Sequence, residues 1–136
     1  MKGHNMALMK EYVINLNPIP WQRAGVKKGT VFYDRQKQDK LAFGLYLNKE
    51  HGSSPMFVNP VHVEVTFYMP IPKTVNKRSG VIWHKGTPDI DNLQKFVLDA
   101  ITSTQSIWQD DRLVSSLVSK KVYDQHPRTH IIIMEL

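Results

Sequence analysis

PDIDNLQKFVLDAITSTQSIWQDD, residues 88–111, is the stretch that decides how this chain folds. Leu93, Phe96, Val97, Ala100 and Ile101 fall at i, i+3, i+4, i+7 and i+8, an apolar stripe of the kind that docks a helix on a sheet. Thr87 precedes a proline and is biased toward extended backbone, so the helix is predicted to begin just after Pro88, with Asp89 near its N-cap. The polar residues Thr102 to Ser106 close it. Ile107 and Trp108 then lead into the tandem Asp110-Asp111 and an extended run from Arg112 to Tyr123. The same stretch holds five aspartates and one lysine in a chain whose net charge is +6, a concentration of carboxylates that asks for a physical reason.

Upstream, Val61, Val63, Val65 and Phe67 alternate with His62, Glu64, Thr66 and Tyr68, the period of a half-buried strand, and Met69-Pro70-Ile71-Pro72 ends it. Before it, a helix is predicted over residues 35–49, with Asp34 as N-cap, Leu41 and Leu45 on its apolar side together with Phe43 and Tyr46, and His51 to Pro55 as terminator. Tyr12 to Leu16 reads as the first strand, stopped by Pro18 and Pro20. Trp21 to Lys28 reads as a basic loop and Thr30 to Tyr33 as a short second strand. Lys73 to Gly86 reads as a basic, mobile connection. Downstream, Asp124 to Pro127 is a turn, and His130 to Leu136 is expected to close a hairpin with the 112–123 run. This order implies an α+β (or α/β) single domain over residues 10–136, a mixed β-sheet with two main helices packed on one face, preceded by a flexible N-terminal lead of residues 1–9.

A length of 136 residues suits one core, and 41% hydrophobic with 22% charged residues is ordinary for a globular domain. No run approaches the roughly 20 apolar residues of a membrane span, the first ten residues lack a secretory apolar core, and cysteine is absent. Thiol chemistry is thereby excluded, and a cytoplasmic location is the expectation. The positive charge favours a polyanionic partner, nucleic acid first, because such a field concentrates anions around the protein. Two clusters are the candidate DNA contacts: Arg23, Lys27 and Lys28, and then Lys73, Lys77, Arg78 and Lys85.

The acidic cluster supports two accounts. In one, Asp89 caps the helix, Asp91 favours its first turn and pairs with Lys95 four residues on, together stabilising it by about 1–2 kcal/mol. That account leaves Asp110-Asp111 unexplained, since adjacent like charges are costly unless a cation relieves them. In the other, carboxylates without thiols hold Mg²⁺ or Mn²⁺, and the chemistry is phosphodiester hydrolysis with Lys95 at the developing charge. A helical Asp89 would point about 200° away from Asp91, so the two converge only with Asp89 in an extended lead. Strand parity does not choose between Asp110 and Asp111. Trp108 reads as core, whereas Trp21 and Trp83 are open between packing and stacking on bases. His62, His84, His126 and His130 read as structural or solvated.

Asp89, Asp91-Asn92, Lys95 and Asp99, followed by Trp108-Gln109-Asp110-Asp111, resemble the signature of the RusA family of Holliday junction resolvases. The likeness extends to Pro18 and Pro20 after the first strand, to Arg23, and to Lys120-Lys121-Val122-Tyr123 with Pro127-Arg128-Thr129. It implies a homodimeric, Mg²⁺-dependent endodeoxyribonuclease of bacteria or their prophages that acts on branched DNA such as a four-way junction. It implies Asp89, Asp91 and Asp111 as acidic ligands, with Asp110 a further candidate, and Lys95 as the catalytic lysine. Two departures stand out: no glycine precedes Trp108, and the segment 73–86 is long. The competing function is a non-catalytic branched-DNA-binding protein whose acidic cluster is structural.

Overall fold

The computed structural model describes residues 7–26, 32–73 and 80–136. Its elements in chain order are β1 (Met9–Ile14), β2 (Gly25–Val26), β3 (Phe32–Tyr33), α1 (Lys37–His51), β4 (Val61–Pro70), α2 (Ile90–Thr104), a 3₁₀ turn (Asp111–Leu113), β5 (Val114–Asp124) and β6 (Arg128–Glu135). The expected first strand thus begins earlier, at Met9, and the expected second strand is the Phe32–Tyr33 arm of a small antiparallel pair with Gly25–Val26.

The main sheet has the order β1-β6-β4-β5, with β4 antiparallel to β6 and parallel to β5. This corrects the expected hairpin: β5 and β6 flank β4 instead of pairing with each other. The β5–β6 link crosses the end of β4, whose last residue, Pro70, has no N–H with which to continue a ladder. The more apolar β4 takes the centre. Its Val61, Val63, Val65, Phe67 and Met69 all point to the covered face, as the alternation predicts. Ile131 and Ile133 of β6 and Tyr12 and Ile14 of β1 continue the same layer.

α2 and α1 supply the second layer. Leu93, Phe96, Val97, Ala100 and Ile101 are all buried, the stripe read from the sequence. α1 departs from expectation. Leu41 and Leu45 face solvent at 56% and 73% exposure, and Phe43, Leu47 and His51 are the inward residues. The spacing of four suits either set. The larger Phe43 wins, because it packs edge-on to Phe96 with ring centroids 5.5 Å apart. Nor is Asp34 the N-cap: the helix starts at Lys37, and the Asp34 carboxylate accepts from the Gln36 N–H at 2.8 Å and from Lys40 Nζ at 3.0 Å.

At the bottom of the core, the Tyr12 hydroxyl lies 2.7 Å from His51 Nδ1, donating to a neutral ring that stacks on Tyr12 and meets Phe57. Burial, and secondarily Lys10, hold the His51 imidazole below its usual range, and burial pushes the Tyr12 phenol up. Among the described residues, no helix is long and apolar enough to cross a membrane.

Candidate active site

Part of the segment expected to be a mobile connection is instead strapped to the sheet edge. Tyr123 N–H donates to Ile82 O at 2.9 Å and His84 N–H to Lys121 O at 3.1 Å, with Trp83 bridging Val122. Lys121, on the inward side of β5, then donates from Nζ to Gly86 O at 2.8 Å and to Pro88 O at 2.9 Å. Two carbonyls pinned by one ammonium fix the lead into α2. Asp89 follows with extended backbone (φ −67°, ψ 147°), as the convergence of Asp89 and Asp91 requires.

The capping account holds on this geometry only for the first-turn place of Asp91. Asp89 occupies the N-cap position, yet its side chain accepts no cap hydrogen bond, and its carboxylate stands exposed. Asp91 is exposed too, and it forms no ion pair with Lys95: among the described residues the carboxylates that pair with lysine or arginine are Asp34 and Asp124, and Glu64 and Glu11 lie against histidines. Lys95 instead lies over the Trp21 indole, 4.7 Å from its centroid. Trp21 is held there because its N–H donates to Asn92 O at 2.8 Å. The buried Gln36 grips both sides of Trp21, donating to Pro20 O and accepting from the Gln22 N–H, each at 2.8 Å. The basic loop is thereby stitched to α2 and to the start of α1, and Arg23, two residues beyond Trp21, is exposed.

The second acidic element comes from the end of α2. Gln105 takes the left-handed conformation (φ 54°) that a glycine would occupy most easily, and its Nε2 donates to Thr102 O at 2.7 Å and Gln109 O at 2.9 Å. Those bonds compensate the missing glycine. Trp108 is fully buried, as expected, and its indole N–H donates to Thr102 Oγ1 at 2.8 Å. Anchored so, the chain enters the 3₁₀ turn, where a direct start of the strand was expected. Asp110 Oδ1 accepts from the Arg112 N–H at 2.9 Å, so Asp110 is the cap of that turn. Asp111 is left half-buried with no such task. Burial, then the nearby Asp110 and Asp99 carboxylates, push its pKa up, and Lys95 opposes them.

The 3₁₀ turn therefore meets α2 beside its middle, with Asp110, Asp99 and Lys95 within electrostatic reach of Asp111. Asp89 and Asp91 lie further toward the helix start: Asp91 and Asp99 are separated by about 12 Å of helix rise. Among the described residues no three histidine or carboxylate side chains gather around one point. The donor set still suits a hard divalent cation, since Mg²⁺ commonly takes only one or two protein carboxylates and completes its shell with substrate phosphate and water. Asp99 was a weaker reading of the sequence, and the structure brings it to Asp111.

Of the candidate DNA contacts, Arg23, Lys73 and Lys85 are exposed, while Lys27, Lys28, Lys77 and Arg78 lie outside the described residues. His62 and His130 are engaged on the open face of the sheet, with Ser116 and Glu11 respectively, and His126 is an exposed turn residue. Trp83 is 62% exposed.

Comparison with known proteins bears on this arrangement directly. A family model described as "Endodeoxyribonuclease RusA" matches residues 15–134. A protein of Lactococcus phage r1t named "Crossover junction endodeoxyribonuclease rusA" is 31% identical over 130 residues, covering 93% of this chain and 96% of that protein. "Uncharacterized protein YqaN" of Bacillus subtilis (strain 168) is 30% identical over 95 residues, 64% of this chain and 66% of that protein's length.

Proposed function

We propose, for a chain that belongs to the RusA endodeoxyribonuclease family, that it resolves Holliday junctions or related branched DNA by Mg²⁺-dependent phosphodiester hydrolysis. The observation that supports this best is the state of the acidic residues. Asp89 accepts no cap hydrogen bond, Asp91 keeps a favourable first-turn place but does not pair with Lys95, and Asp111 is crowded by like charge with no capping task, so helix stabilisation accounts for Asp91 alone. Asp89, Asp91 and Asp111 are the carboxylates that would bind cation, one or two of them on any one ion with phosphate and water completing its shell, and Asp99 and Asp110 add negative charge beside Asp111. The bound cation supplies neutralisation of the scissile phosphate and lowers the pKa of an attacking water.

The chain's own contribution is positioning. Lys121 fixes the carbonyls that precede Asp89, and Trp21 holds the Lys95 ammonium at the exposed edge of α2, where it can meet the charge growing on the phosphate oxygens. The exposed Arg23, Lys73 and Lys85 supply contacts to the DNA backbone, with Lys27, Lys28, Lys77 and Arg78 expected to add to them. A homodimer matches the two-fold symmetry of a four-way junction and would place one site on each of two strands.

Separating binding from cutting tests this. Asp91→Asn and Asp111→Asn are expected to bind a four-way junction within about threefold of wild type and to cut it at least about 100-fold more slowly. Wild-type protein that binds the junction and never cuts it, in Mg²⁺ or Mn²⁺, would establish the non-catalytic reading instead.

A further inference from the structure

A cavity of about 640 Å³ opens beside the lead, between the exit of β1, the end of β4 and the strap on β5. Its walls include Asn17, Pro20, Pro70, Pro88, His84 and Tyr123. The prolines are apolar, have no N–H and hold their backbone stiffly, so the cavity is preformed. Among the described residues, no lysine, arginine, aspartate or glutamate lines it. The described walls therefore offer an anionic occupant no lining counter-charge, and the nearby Lys121 ammonium is engaged by the Gly86 and Pro88 carbonyls.

What the walls offer is an aromatic surface with a few polar edges. His84 and Tyr123 lie against each other, with ring centroids 4.8 Å apart and planes tilted by 54°. His84 Nδ1 is buried with no hydrogen-bond partner, so the ring is held by Tyr123 and by the backbone strap rather than by its own polar atoms. The Asn17 side chain is exposed at the rim and free to donate or accept. Pro88 belongs both to the cavity wall and to the chain immediately before the Asp89 carboxylate. A planar, uncharged group fits such walls, and with Asp89 following Pro88 in the chain, a nucleotide whose base enters the cavity would carry its phosphate toward Asp89.

We propose that this cavity is a nucleobase subsite, which accepts one base from the branch point next to the phosphate that is cut. The inference rests on the branched-DNA reading above. Bases at a branch point are the least costly to unstack, so extrusion into a preformed cavity selects for branched over continuous duplex. His84 and Asn17 stand at the polar edges from which one base can be told from another.

Two measurements on the full chain test it. In EDTA, 2-aminopurine replaces each branch-point base of a synthetic junction in turn. Binding of wild-type protein is expected to change the fluorescence about twofold or more at one position, through transfer from base stack to aromatic wall. The pair His84→Ala with Asn17→Ala is expected to abolish that change while junction affinity stays within about threefold, as phosphate contacts dominate affinity. In Mg²⁺, an abasic nucleotide at the same position should slow wild-type cutting by about tenfold or more, and cutting by the double variant by less than about threefold. Fluorescence unchanged at every position under tight binding, or an abasic penalty equal in wild type and variant, overturns the subsite. A fluorescence change with no cutting by wild type supports the subsite and removes the nuclease reading alone. Wild-type protein that does not bind the junction removes both.

Discussion

Replacing Lys121 by methionine tests whether the lead is held as described. The substitution keeps most of the side-chain length and removes the two donations to Gly86 O and Pro88 O, at 2.8 and 2.9 Å. A hydrogen bond from a charged donor contributes about 1.5–3 kcal/mol, and at this half-exposed position water replaces part of it. A combined loss of about 2 kcal/mol in holding the lead follows, from the lower end of that range. If that positioning is felt fully at the transition state, cutting slows by about 30-fold, at 1.36 kcal/mol per decade. Global stability should fall by less than about 1 kcal/mol, because the lead can detach locally while the sheet and α2 stay folded. Single-turnover cutting of a saturating junction, run beside a urea melt, reads both quantities. Cutting within about twofold of wild type in a folded Lys121→Met protein would refute the positioning role.

Trp108→Ala is expected to cost about 3–5 kcal/mol in urea melts, since it removes the largest fully buried side chain and leaves Thr102 Oγ1 without its indole donor. Asp111→Asn should raise the thermal midpoint at neutral pH. The raised carboxyl pKa means that the folded state carries a penalty above the unfolded value, near 3.9, and asparagine removes it; a lowered midpoint would show that the carboxylate stabilises the fold. His51 works in the opposite sense. Its folded pKa is depressed, so its contribution is complete above the unfolded value, near 6.5, and is lost as pH falls below it. Urea midpoints should therefore drop between about pH 7.5 and 5.5, and His51→Gln should flatten that slope, whereas an unchanged slope would assign it to other groups.

Where the sequence was legible, the signal was local and periodic. β4 alternates over its whole apolar face and α2 shows an uninterrupted stripe, so both faces and both elements follow from a few residues read in order. α1 lacks that redundancy: Leu41–Leu45 and Phe43–Leu47 have the same spacing, and only the partner ring of Phe96 selects the second pair. The hairpin reading failed because a short link normally joins neighbouring strands, and nothing local to Asp124–Arg128 reports that β4 occupies the place between.

The site divides the same way. Asp89 in an extended lead was forced by Pro88, but the choice between Asp110 and Asp111 needed the 3₁₀ turn, in which Asp110 is committed to the Arg112 N–H. Trp21 over Lys95 and Asp99 beside Asp111 join residues of different elements, with no local pattern to announce them. Lys121 did leave a trace. It shares the inward parity of Leu117, Ser119 and Tyr123, and a lysine on the covered side of a strand asks what its ammonium reaches.

The central claim is that two acidic elements, joined along one exposed edge of α2, cut branched DNA with a divalent cation. Incubating wild-type protein with a labelled four-way junction and, separately, with linear duplex of the same sequence, in Mg²⁺ and in EDTA, tests it most directly. Symmetric cutting of the junction in Mg²⁺, little cutting of the duplex and none of either in EDTA is the predicted result. Undiminished cutting in EDTA, or junction and duplex cut alike, would contradict it.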